Sequence, residues 1–143
     1  MPGPLDGIRI LDLSAVISGP FGTMILADQG ADVIKVEPPG RGDFTRSAGN
    51  KSGGLSASFL NNNRNKRSIT LDLKSPAGVD VVKRLAAISD VVVQNFRPGV
   101  VERLGVGEDE LRQVKPDIIY VSISGYGETG PFSDRPVYDP IIQ

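Results

Sequence analysis

Apolar residues fall in short runs separated by glycine, proline and polar clusters, and those runs set the first reading of the chain. Ile8 to Leu13 follows a Leu-Asp-Gly turn and gives way to small and polar residues, as a strand bounded by turns does. After Gly19-Pro20, the stretch from Phe21 to Gln29 places Met24, Leu26 and Ala27 where they can face a sheet, and Gly30 ends it, so a helix is predicted. Ala31 to Val36 predicts a second strand. Strand, Gly-Pro turn, helix, glycine, strand is a βαβ unit, with parallel strands and a right-handed crossover.

From Glu37 to Arg67 the periodicity lapses into Pro38-Pro39-Gly40, Gly42-Asp43, Gly53-Gly54 and Asn61-Asn62-Asn63, a long excursion of the functional or mobile kind. Order returns with a strand predicted over Ser68 to Leu73. Ser75-Pro76 then caps a helix whose apolar face carries Val79, Val82 and Leu85. Asp90 to Val93 predicts a strand, Glu108 to Val114 a short helix, and Ile118 to Ile123 another buried strand. The alternation gives the fold class: α/β, a Rossmann-like open parallel sheet with helices on both faces. Ligands of such sheets sit at the carboxyl ends of the strands. That rule selects Ser14 to Gly19, the loop after Val36, Gln94 to Gly99, and Ser124 to Gly127.

Composition narrows the chemistry. The 143 residues are 39% apolar and 23% charged, which fits a folded domain rather than a disordered one. The 16 basic and 17 acidic side chains leave a net charge of −1, so nothing global favours a nucleic-acid backbone and any anion site is local. Cysteine and histidine are both absent, which removes disulfides, thiolate nucleophiles and the commonest general base and metal ligand. No basic leader and no membrane-length apolar run is present, so a cytoplasmic protein is expected, with neither nucleic acid nor membrane as partner and no metal.

The first βα turn lacks G-x-G-x-x-G, and G-x-x-x-x-G-K-[ST] is absent, which sets NAD and ATP aside as leading ligands. Asn95-Phe96-Arg97-Pro98-Gly99, followed by Arg103, combines an aromatic surface, an amide and two guanidinium groups, a set suited to a phosphorylated, ring-bearing ligand. Read from the residues alone, the same stretch is more readily a turn, with Phe96 in the core and the arginines solvated. Lys66, Arg67 and Lys74 surround one strand, as a pyrophosphate site or as scattered surface cations. Ser124-Gly125-Tyr126-Gly127 offers room for close approach to a ligand, or a plain Gly-Pro loop with Pro131. Asp12 and Asp139 have no visible partner to set a catalytic pKa, and neither is assigned as a nucleophile.

Taken together, Leu5-Asp6-Gly7-Ile8-Arg9-Ile10-Leu11-Asp12-Leu13, Gly19-Pro20 and the run from Leu26 to Glu37 resemble the start of a family III CoA-transferase. The resemblance continues through Gly42-Asp43, Asn65-Lys66-Arg67-Ser68-Ile69, Leu71-Asp72-Leu73-Lys74, Asp90-Val91, Asn95 to Gly99, Leu104-Gly105 and Gly125-Tyr126-Gly127, essentially the whole chain. It implies that residues 1–143 are the N-terminal part of a CoA-binding large domain, with a small domain, a C-terminal part and the catalytic aspartate beyond Gln143. It also implies an interlocked homodimer that moves CoA from an acyl-CoA thioester to a carboxylate acceptor, the aspartate attacking the thioester. The chain alone is then an inactive fragment whose uncovered apolar surfaces promote association.

The positions matching the family's CoA contacts are Val16, Ile17, Leu71, Asp72, Leu73, Lys74, Asn95, Phe96, Arg97, Arg103, Ser124, Gly125 and Tyr126. Two positions depart from the pattern. Pro38 stands where many members carry an arginine, which shifts that contact toward Arg41. Tyr138 stands where the related α-methylacyl-CoA racemases place a catalytic histidine, so a racemase would lack one of its two acid–base groups and the transferase reading ranks higher. A non-catalytic CoA-binding or structural module is the remaining alternative.

Overall fold

The computed structural model describes residues 3–142. In chain order its elements are β1 (Arg9–Asp12), α1 (Ser18–Asp28), β2 (Asp32–Glu37), a 3₁₀ turn (Phe44–Arg46), β3 (Lys51–Ser52), β4 (Leu55–Ser56) and α2 (Ala57–Asn63). β5 (Lys66–Thr70), α3 (Pro76–Ala87), β6 (Val91–Gln94), α4 (Val100–Arg103), α5 (Glu108–Arg112), β7 (Ile119–Ser122) and α6 (Asp139–Ile142) follow. β1, β2, β5, β6 and β7 form one sheet in the order β5-β2-β1-β6-β7 with every neighbouring pair parallel; β3 and β4 make a separate two-residue hairpin. Counting only its own strands, the main sheet runs 3-2-1-4-5. The order reverses between β1 and β6, and in open parallel sheets a crevice opens at that reversal.

The sheet has a core on each face. Leu11, Ile34, Val36 and Val92 meet Val82 and Ala86 of α3, Val101 of α4 and Leu111 of α5. On the opposite face Ile10, Val33 and Val93 meet Ala27 of α1. Period-2 alternation in the strands thus supplies two apolar faces, as the near-continuous apolar runs require. A five-residue helix such as α5 is not stable alone; burying Leu111 completely contributes about 1.5–3 kcal/mol and holds it in place.

Helix boundaries follow local chemistry. Ser75 accepts a hydrogen bond from the Gly78 amide at 3.1 Å with Pro76 at the first helical position, as its sequence predicts. Ser56 caps α2 by accepting from the Phe59 amide. α1 begins at Ser18 rather than Phe21, and it can do so because Gly19 lacks a Cβ, which would overlap the Ser14 side chain. The excursion from Glu37 to Arg67 is more ordered than its sequence suggests, holding a 3₁₀ turn, a hairpin and α2. β5 also starts two residues before Ser68 and ends at Thr70, because Lys66 pairs in register with Val33 of β2. At the other edge Ile119 and Val121 of β7 are exposed. Among the described residues no helix is long and apolar enough to cross a membrane.

Candidate functional site

Two of the sequence-selected turns, Ser14 to Gly19 and Gln94 to Gly99, meet across the reversal of strand order. Asn95, just after β6, accepts the Ala15 amide on Oδ1 at 2.9 Å and donates through Nδ2 to the Ala15 carbonyl at 2.8 Å and to Ser18 Oγ at 3.2 Å. One amide side chain therefore clamps the β1–α1 turn to the end of β6. Val16 and Ile17, the outer residues of that turn, are exposed, and no side chain caps α1 at Ile17.

Val16 adopts φ = 70°, a conformation that costs a β-branched residue about 1–3 kcal/mol unless its surroundings impose it. The surroundings do. Asp43 Oδ2 accepts the Val16 amide at 3.3 Å and pairs with Lys35 Nζ at 2.9 Å, and Lys35 also donates to the Ser14 carbonyl at 2.9 Å. The Asp43 and Lys35 side chains are 1% and 2% exposed, so the pair lies beneath the turn. Asp43 Oδ1 accepts from the Thr45 amide and hydroxyl, and the Asp43 amide donates to Glu37. Burial alone would raise the Asp43 pKa; the Thr45 hydrogen bonds and the Lys35 ammonium more than offset it and keep the carboxyl below the usual range.

Two further ion pairs extend this layer. Lys66 donates to Asp12 at 2.9 Å, to the Pro20 carbonyl at 2.8 Å and to Asn63 at 3.0 Å, which uses its three protons. Asp12 also accepts from Thr23, from the Ser14 amide and from the Ser14 hydroxyl. Glu37 takes a two-pronged contact from Arg46 at 2.6 Å and a bond from Ser68 at 2.6 Å. Burial works to raise the Glu37 pKa, but Arg46, Ser68 and the Asp43 amide bring it down to about 2. For Lys66, burial lowers the ammonium pKa and Asp12 partly restores it.

This layer corrects two readings of the sequence. Asp12 does have a partner, Lys66, and the pair is buried. Nor are three cations free around β5, since Lys66 is committed to Asp12 and Arg67 to Asp32. Only Lys74 of that trio lines an open groove. The signal for the layer was present in the sequence: Lys35 and Glu37 alternate with Ile34 and Val36 inside an apolar strand, where a charge needs a partner.

The groove, about 460 Å³, is lined by Leu73, Lys74, Ser75, Pro76, Val79, Arg103 and Leu104. It joins the Leu71 to Lys74 segment to Arg103, two regions far apart in sequence. Asp72 accepts the Lys74 amide at 2.9 Å and its carbonyl receives Ser75 Oγ, which fixes the start of the segment, while Leu71 packs against the core. The Arg103 guanidinium lies against Gly99, where a Cβ would stand 2.9 Å from Nη1.

Other candidates are placed differently. Phe96 packs against the core, half-buried, as the plainer turn reading has it, and Arg97 is exposed. Ser124, Gly125 and Tyr126 are exposed beyond β7; a Cβ on Gly125 would overlap Val137, and the Tyr126 ring stands 5.7 Å from that of Phe132. Arg41 lines a second hollow with Glu37, Pro38 and Arg46, apart from the Lys74–Arg103 groove. Tyr138 is 73% exposed, and the side chain of Asp139 lies outside the described residues.

The described residues thus combine a parallel sheet, a clamped turn at its order reversal and an open groove flanked by Lys74 and Arg103. Residues 5–143 match the sequence profile of CoA-transferase family III, and the chain belongs to that family. It is 53% identical over 139 residues to a succinyl-CoA:glutarate CoA-transferase of Mus musculus, covering 96% of this chain and 32% of that one. It is 48% identical to an acetyl-CoA:oxalate CoA-transferase of Acetobacter aceti, covering 99% and 36%. Among solved structures, a CAIB/BAIF family protein from Brucella suis superposes with a TM-score of 0.94 at 42% identity, covering 100% of this chain and 39% of that one. The chain thus spans about a third of the length of the curated relatives it matches.

Proposed function

We propose that this chain is the CoA-cradling N-terminal part of the large domain of an enzyme that moves CoA between an acyl-CoA thioester and a carboxylate acceptor. The observation that carries the reading is the groove in which Lys74 and Arg103 flank Leu73, Val79 and Leu104. Two cations suit phosphate oxygens, and the aliphatic wall suits an adenine ring or a pantetheine arm. Val16 and Ile17, Asn95 to Arg97 and Ser124 to Tyr126 follow the carboxyl ends of three adjacent strands and extend the same cradle.

The reading assigns no nucleophile to these 143 residues. The carboxylates of Asp12, Glu37 and Asp43 are each neutralised by a cation at 2.9 Å or less, so none is poised to attack a thioester. The attacking aspartate belongs to a later segment, and the working enzyme is an interlocked homodimer of the cytoplasm. The relatives named above pair succinyl-CoA with glutarate and acetyl-CoA with oxalate, which sets the substrates to try first. The test is a thioester-exchange assay on the complete gene product, with succinyl-CoA and glutarate or acetyl-CoA and oxalate. Transfer of CoA to the acceptor is expected; tight CoA binding with no transfer to any carboxylate would instead favour a non-catalytic module.

A further inference from the structure

We propose that Lys35 and Asp43 are positioning residues, which hold the β1–α1 turn in its ligand-receiving shape through the Val16 amide. The inference rests on the CoA-binding reading and adds to it two side chains that touch no ligand. Val16 stands at φ = 70° on the exposed side of the turn, while Lys35 and Asp43 lie beneath it, 2.9 Å apart and almost completely buried. Asp43 Oδ2 accepts the Val16 N–H, and Lys35 Nζ donates to the Ser14 carbonyl two residues earlier. The turn is thereby held from below at two points, and Asn95 holds it from the side at Ala15.

The residues that do the holding come from elsewhere in the fold. Lys35 sits in β2, hydrogen-bonded in the sheet beside β1, so its Cα is fixed opposite Asp12. Asp43 begins the 3₁₀ turn after β2, anchored through Thr45 on one oxygen and through its own amide to Glu37. The loop after β2 therefore sets the backbone of the loop after β1. Without that grip, Val16 relaxes toward negative φ, and the fraction of molecules with a receptive turn falls. Glycine adopts positive φ without strain, so a glycine at position 16 has less need of the grip.

The experiment is a double-mutant cycle in the complete gene product, with CoA affinity measured by calorimetry for the wild type, Asp43→Asn, Val16→Gly and the pair. In Asp43→Asn the side-chain oxygen still accepts from Thr45, but a nitrogen now faces the Val16 N–H. Release of the strained turn then weakens CoA binding about 5- to 150-fold. In the Val16→Gly background the same change is expected to cost about threefold or less. A purely structural role for Asp43 predicts equal losses in both backgrounds. If Asp43→Asn does not fold, Lys35→Met/Asp43→Asn, which leaves no unpaired buried charge, takes its place in the cycle. Wild-type binding with an equal or absent effect of Asp43 in the two backgrounds overturns the positioning role and leaves the CoA site standing. No binding by folded wild type overturns the site itself.

Discussion

Lys66→Met tests whether the buried charge layer is held together pair by pair. Asp12 is 0% exposed, and Lys66 is its only cationic partner among the described residues. Methionine keeps the aliphatic volume and removes three donated bonds, to Asp12, Pro20 and Asn63. The Asp12 carboxylate retains Thr23 and Ser14 as donors but loses its countercharge, and stranding one member of a buried pair costs about 3–5 kcal/mol. Asp12→Asn/Lys66→Met removes both charges while keeping an acceptor for Ser14, and is expected to cost about 1–3 kcal/mol. Native-state hydrogen exchange of the β1 and β2 amides reads this locally: protection should fall about 10²- to 10⁴-fold in the single variant and recover part of that loss in the double. A double variant as unprotected as the single, or a single variant that loses less than about tenfold, would refute the pairing argument.

Glu37 gives a pH signature with a definite sign. Its folded pKa, about 2, lies below the usual 4.5, so its bonds from Arg46, Ser68 and the Asp43 amide together outweigh burial and stabilise the fold above pH 4.5, and that contribution is lost as pH falls toward 2. The shift corresponds to about 3 kcal/mol, and Glu37→Gln should flatten the acid limb of a thermal-midpoint profile over that interval while lowering the midpoint at pH 7. Gly19→Ala places a Cβ into the Ser14 side chain and should destabilise the chain by about 1–3 kcal/mol in denaturant titration while weakening CoA affinity, because α1 must shift at the candidate site. At Gly99, where φ is 77°, substitution by alanine both strains the backbone and displaces Arg103; CoA affinity should fall toward that of Arg103→Ala.

How much of this was legible in the sequence varied with the kind of signal. The five sheet strands and α3 follow from apolar runs bounded by glycine, proline and a Ser-Pro cap, signals that act within a few residues. Asn95 was selectable because strand-end loops carry ligands, and Arg103, in α4, because the family resemblance reaches it. The charge layer was missed for two reasons: Asp12 and Lys66 lie far apart in the chain and meet only through the parallel register of β1, β2 and β5, while Lys35–Asp43 and Glu37–Arg46 close through the turn after β2, inside the stretch that shows no periodicity. Lys66 and Arg67 stayed open between an anion site and surface cations, since a free cation and a neutralised one look alike in sequence. α2 was lost inside a glycine- and asparagine-rich stretch whose helix depends on the Ser56 cap and on burial of Phe59.

Calorimetric titration of the complete gene product with CoA, for wild type beside Lys74→Ala and Arg103→Ala, tests the central claim most directly. Each cation should contribute a charge-assisted contact to phosphate, so each substitution should weaken binding about 10- to 150-fold. Wild-type binding that neither substitution changes would place the coenzyme elsewhere and contradict the account of the groove.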